Sequence, residues 1–120
     1  MKFTIELAPR TKKNSQQIVQ CKGRPIVIPS KLYKKYEKDS QYFLPSIQIN
    51  YPVNIKAIYY MPTKRRVDLC NLHECLCDVL VHYGVVIDDN SNIIVSMDGS
   101  RVFYDKENPR TEVEITRIKE

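Results

Sequence analysis

Apolar and polar residues alternate from the start of the chain. Phe3, Ile5 and Leu7 fall on one side and Thr4, Glu6 and Ala8 on the other, which predicts a half-buried strand over 3–8. The stretch PRTKKNSQQIVQCKGRP is polar, basic and bounded by proline, and reads as an exposed loop or loose hairpin, followed by a short strand in PIVIP. Ser30 is a suitable cap for a helix over KLYKKYEKDSQYF, where Leu32, Tyr33 and Tyr36 form an apolar stripe beside Lys31, Lys34, Lys35 and Lys38. VNIKAIYY alternates and then turns wholly apolar, as a central strand does, and Pro62 closes it. Leu72, Leu76, Val79, Leu80 and Tyr83 recur at helical spacing between Asn71 and Gly84, which predicts a helix over 72–83. VVIDDNSNIIVSM then gives an apolar approach, a turn over Asp88 to Asn92 and a strand, and TEVEITRI supplies the last strand. The order β, β, α, β, α, β, β makes a single α+β domain over 1–120, with two helices on a mixed sheet.

A chain of 120 residues buries a core of modest size, so oligomerisation is plausible. Its 19 Lys and Arg against 14 Asp and Glu leave a formal charge of +5, which favours a polyanionic partner. The N-terminus has no apolar run of the signal-peptide kind, and no segment has the 18 or so apolar residues of a membrane span; a soluble cytoplasmic protein is expected. Cys21, Cys70, Cys75 and Cys77 then read as reduced thiols.

The acidic residues near the second helix are unevenly placed. Asp68 precedes it, Glu74 and Asp78 stand one turn apart on its polar side, and Asp88 and Asp89 follow its end. Clustered carboxylates repel unless a cation or shared proton compensates, and a hard ion such as Mg²⁺ takes oxygen ligands. Lys64, Arg65 and Arg66 lie just upstream, where they could hold DNA phosphates. Blander readings exist for each part: a plain turn at Asp88 to Asn92, a solvated basic run, a cap at Asp68, or a capping box with Asn71 at the N-cap and Glu74 at N3.

The combination of YMPTKRRVDLCNL with CDVLVHYGVVIDDNSNI, and more weakly TKKNS and GRPIVIPSKLYKKY, resembles the RusA family of Holliday junction resolvases, found largely in phages and prophages. The resemblance covers nearly the whole chain. It implies a small homodimer that binds four-way DNA junctions and cuts them by symmetric paired incisions with Mg²⁺ or Mn²⁺, with no organic cofactor and no membrane partner. It also implies that Asp68 and Asp89 are catalytic metal-binding aspartates, that Asp88 assists at the metal, and that Asp78 is the acid within the helix. The chain departs from the family pattern at two positions: Cys70 stands where a second aspartate is expected, and Glu74 where a lysine is expected. Cysteine is a soft ligand ill-matched to Mg²⁺. Glu74, one turn further on, is the candidate to supply the missing carboxylate; otherwise the protein binds branched DNA without cutting it.

The lysines of the first helix, Lys31, Lys34 and Lys35, together with Lys12 and Lys13, are candidates for DNA-backbone contact beside Lys64, Arg65 and Arg66. Cys70, His73 and Cys77 share a helical face and offer another reading, a small zinc-stabilised DNA-binding regulator, although Cys75 and Cys77 more simply pack as apolar residues. Tyr33, Tyr36 and Tyr59 read as core.

Overall fold

The computed structural model describes residues 1–12, 16–21, 23–29 and 31–119, with 16–21 and 25–29 described by their backbone. Lys13 and the Ser30 cap lie outside the described residues. The elements are β1 (Lys2–Ile5), β2 (Gln16–Cys21), β3 (Arg24–Pro29), α1 (Lys31–Ser40), a single 3-10 turn (Gln41–Phe43), β4 (Val53–Met61), α2 (Leu69–His82), β5 (Ile94–Ser96), β6 (Arg101–Tyr104) and β7 (Arg110–Arg117).

β2 and β3 pair as an antiparallel hairpin of their own, so the stretch expected as a loop or loose hairpin is regular structure. The other five strands form one mixed sheet. β7 lies antiparallel between β1 and β4. β5 pairs in parallel with the start of β4, and β6 in parallel with its end.

Asn54 and Ser100 let one strand serve two short neighbours. The Asn54 side chain accepts from the Asp98 amide at 2.8 Å and from the Ser96 hydroxyl at 2.6 Å, which fixes the link between β5 and β6. The Ala57 amide, between the two pairings, donates to Ser100 Oγ at 3.0 Å. Gly99 turns this link with φ 87°, in the left-handed region that glycine enters without steric cost.

Strand alternation decides which face is covered. Val53, Ile55, Ala57 and Tyr59 of β4 and Val113 and Ile115 of β7 are buried, together with Leu72, Leu76, Val79 and Leu80 of α2 and Tyr33 and Tyr36 of α1. The tyrosines expected in the core are there. Leu32 is not: it is 56% exposed, because the buried stripe of α1 runs through Tyr33, Tyr36 and Ser40, and Leu32 lies a helical step to one side.

α2 links β4 to the parallel strand β5, as a crossover helix does. Its C-terminus closes as a Schellman motif: the Val85 amide donates to the Leu80 carbonyl at 2.9 Å, Gly84 to Val81 at 3.1 Å, and Gly84 takes φ 74°. The first strand ends at Ile5, not at Ala8, and β6 answers to no strand expected from the sequence.

Candidate functional site

β4 carries the chain to one end of the sheet, and the loop after Met61 leads into Asp68. Asp68 is the N-cap of α2, with extended backbone (φ −84°, ψ 124°) and its carbonyl accepting from the Leu72 amide at 3.2 Å. The helix therefore starts three residues before the expected Leu72, and the capping box on Asn71 and Glu74 does not form, since Asn71 already lies inside the first turn. Leu69 packs against the core, and that contact favours the earlier start. The Asp68 carboxylate is exposed and does not cap the helix; it accepts from Asn71 Nδ2 at 3.2 Å.

Val67, next to Asp68 in the chain, lines a notch of about 250 Å³ together with Arg10, Thr11, Met61, Thr63, Arg65 and Arg66. None of the three arginine side chains makes an ion pair or hydrogen bond among the described residues. Arg10 was not singled out in the sequence, although it belongs to the same basic run as Lys12. A larger depression, about 390 Å³, lies on the uncovered sheet face among Lys2, Lys56, Glu112 and Glu114 and holds none of the candidate acids.

Lys12 and Asp78 meet each other, 66 residues apart in sequence. Lys12 Nζ donates to Asp78 Oδ2 at 2.7 Å, and the Lys12 amide donates to Cys75 Sγ at 3.2 Å, so the segment after β1 is strapped to α2. The hydrogen bond to Asp78 raises the pKa of Lys12. Lys12 is thus held in an ion pair within the protein, whereas Lys31, Lys34, Lys35, Lys64, Arg65 and Arg66 are exposed and form none among the described residues.

A raised lysine pKa stabilises the fold below the unfolded value and ceases to do so as pH rises through the folded one. Lys12→Met is therefore expected to lower stability at neutral pH by less than about 1 kcal/mol, since both side chains are about a third exposed, at 37% and 34%. It should also remove the part of any alkaline loss of stability that this pair contributes as pH rises above 10.5, the ordinary lysine value. Denaturant melts of both proteins at pH 7 and in that alkaline range check this.

Asp88 and Asp89 occupy an exposed turn at the other end of α2. The Asp89 amide donates to Asp88 Oδ1 at 2.7 Å and Asn90 Nδ2 to Oδ2 at 3.0 Å; these bonds hold the Asp88 pKa below the usual carboxylate range. The chain reaches this turn through Val86, which bridges Ile49 upstream of β4. Burial, and then the charges of Asp89 and Asp78, push the Cys77 thiol up to about 12. Cys77 is about 13 Å along the axis from Asp68.

Among the described residues, no three His, Cys, Asp or Glu form a group able to hold a metal ion. The oxygen donors of Asp68, Glu74, Asp88 and Asp89 suit a hard divalent ion, but the described residues do not bring three such ligands together. Cys70, His73 and Cys77 do not form such a group either. Cys70 is exposed, Cys77 is buried, and His73 Nδ1 lies 2.8 Å from the Tyr59 hydroxyl, in surroundings whose burial lowers the histidine pKa.

An α+β domain that presents a lysine-bearing helix, exposed carboxylates and arginines unpaired among the described residues has features expected of the nucleic-acid-handling class. Within that class the chain belongs to the RusA endodeoxyribonuclease family: the family described as Endodeoxyribonuclease RusA matches residues 6–116. It is accordingly a nuclease of the kind that acts on junction DNA. No curated protein matches the chain, and no helix among the described residues is long and apolar enough to cross a membrane.

Proposed function

We propose that this protein is a metal-dependent endodeoxyribonuclease that resolves four-way DNA junctions by paired symmetric incisions in recombination and repair. The observation that carries the reading is the position of Asp68, an exposed carboxylate with no ion pair among the described residues, next in the chain to Val67, which lines a notch with three arginines that are unpaired among those residues. Arg65 and Arg66 take the phosphates, the lysines of α1 extend the contact along the backbone, and Asp68 acts at the scissile group. Mg²⁺ is the proposed ion, with Mn²⁺ able to substitute. A homodimer suits the chemistry twice over: two symmetric nicks need two sites about a two-fold axis, and a second copy can add carboxylates where the described residues of one chain do not bring three metal ligands together. The resemblance to a family found largely in phages and prophages supports action in the cytoplasm of a bacterial host.

The test is incubation of purified protein with a labelled synthetic four-way junction and a matched linear duplex, in EDTA, Mg²⁺ and Mn²⁺. Symmetric cuts in the junction alone, dependent on the ion, are expected. Tight junction binding with no cutting in either ion overturns the nuclease reading.

Cys70 and Glu74 are both exposed and stand one helical turn apart, so their side chains are neighbours on the outer side of α2. Glu74 is proposed to replace the carboxylate that Cys70 does not provide. Glu74→Gln is then expected to cut at least about a hundredfold more slowly, the scale of a lost acid or base at a reacting centre, while Cys70→Ala cuts normally. Single-turnover cleavage of the junction decides it; the opposite ranking sinks the assignment.

A further inference from the structure

We infer that the arginine notch and the neighbouring Tyr104 form a subsite for one unpaired nucleotide of branched DNA, with the phosphate held by Arg10, Arg65 and Arg66 and the base laid on the tyrosine ring. The inference rests on the junction-nuclease reading and adds the feature of the DNA that is recognised.

The phosphate half follows from charge. Three guanidinium groups around 250 Å³, with no carboxylate answering them among the described residues, repel one another until an anion enters. The guanidinium fork matches phosphate oxygens in pairs. The notch is also held in shape. Arg10 comes from the segment after β1, which the Lys12 bonds to Cys75 and Asp78 fasten to α2, while Arg65 and Arg66 come from the loop leading into that helix.

The base half follows from register. Met61, which lines the notch, is the β4 partner of Tyr104 on β6, and paired strands lie only about 4.8 Å apart. Tyr104 is 44% exposed on this edge strand, and Lys64 Nζ lies 5.3 Å from its ring centroid. The nearest acid in sequence, Asp105, is occupied by Arg110 at 2.9 Å, so it does not oppose a phosphate. An exposed aromatic interleaved with cations is the arrangement that stacks single-stranded bases. Bases inside a duplex are already stacked on each other, so only a base freed at a branch point can use the ring.

The test is binding in EDTA, read by fluorescence anisotropy with a labelled single-stranded oligonucleotide and with the same sequence as a duplex. Tyr104→Ala is expected to weaken single-strand binding about tenfold and leave duplex binding unchanged, while Tyr104→Phe, which keeps the ring, binds as the parent does. Arg10→Ala is expected to weaken both and to reduce the salt slope on the single strand by about 0.7, one phosphate contact. Equal losses on both DNAs for Tyr104→Ala, no loss on either, or an unchanged slope for Arg10→Ala overturns the subsite. Because EDTA removes cutting from the measurement, the two readings fail separately. A protein that cuts junctions but ignores Tyr104→Ala retains the nuclease reading alone; one that never cuts yet shows the tyrosine effect retains the subsite alone.

Discussion

Asp68→Asn is expected to abolish junction cutting, lowering the rate by at least about a hundredfold, while leaving both the fold and junction binding in EDTA intact. The reasoning separates two roles of one residue. As an N-cap, asparagine serves as well as aspartate, and its amide oxygen still accepts the 3.2 Å bond from Asn71 Nδ2. Local structure therefore gives the substitution no reason to unfold the helix. What disappears is the negative charge beside Arg65 and Arg66, at the place where a phosphodiester would lie. Loss of a group that handles protons or charge in the transition state costs a factor of about a hundred to ten thousand. The measurement is single-turnover cleavage, with thermal melting and EDTA binding of the same preparation. Parent-like cutting by Asp68→Asn would remove Asp68 from the chemistry.

Leu80→Ala has the largest expected effect on stability, a loss of about 3 kcal/mol. Leu80 is 0% exposed, belongs to the buried core, and sits where the Val85 amide returns to donate to the carbonyl at the end of the helix. Truncating it removes buried apolar surface and leaves a cavity that a close-packed core fills only in part. The backbone bond from Val85 to the Leu80 carbonyl needs no side chain and survives, so the loss reports packing alone. For a domain of this size the melting temperature should fall by about 10 °C. Urea unfolding with an unchanged slope and a lower midpoint would match it; a loss under about 1 kcal/mol would mean that Leu80 is not packed as described.

Elements with a strong local period were legible in the chain. The 3.6 spacing of Leu72, Leu76, Val79 and Leu80 gave α2, and the alternation of Val53, Ile55, Ala57 and Tyr59 gave β4, because each pattern commits one face to the core whatever the neighbours are. The same logic placed Tyr33, Tyr36 and Tyr59 inside. The start of α2 was less decidable. Asp68 and Asn71 are both good caps, and the tie is broken by Leu69 packing on the core, a contact that no window of sequence contains. β6 was missed for a similar reason: four residues with three of them exposed carry almost no signal, and its existence depends on the free edge of β4.

Of the candidate site, the residue types were readable and their company was not. Sequence alone determined the central strand β4, the body of α2, the core faces of both, and that Asp68, Arg65 and Arg66 stand together, since all of these depend on neighbours within a few residues. Only the tertiary structure decided that Lys12 belongs to Asp78, that Arg10 completes the notch, that Tyr104 stands beside Met61, and that Asp88 and Asp89 leave from the far end of α2. Those juxtapositions join residues far apart along the chain, and they exist only because burying one apolar face against another brings the segments together.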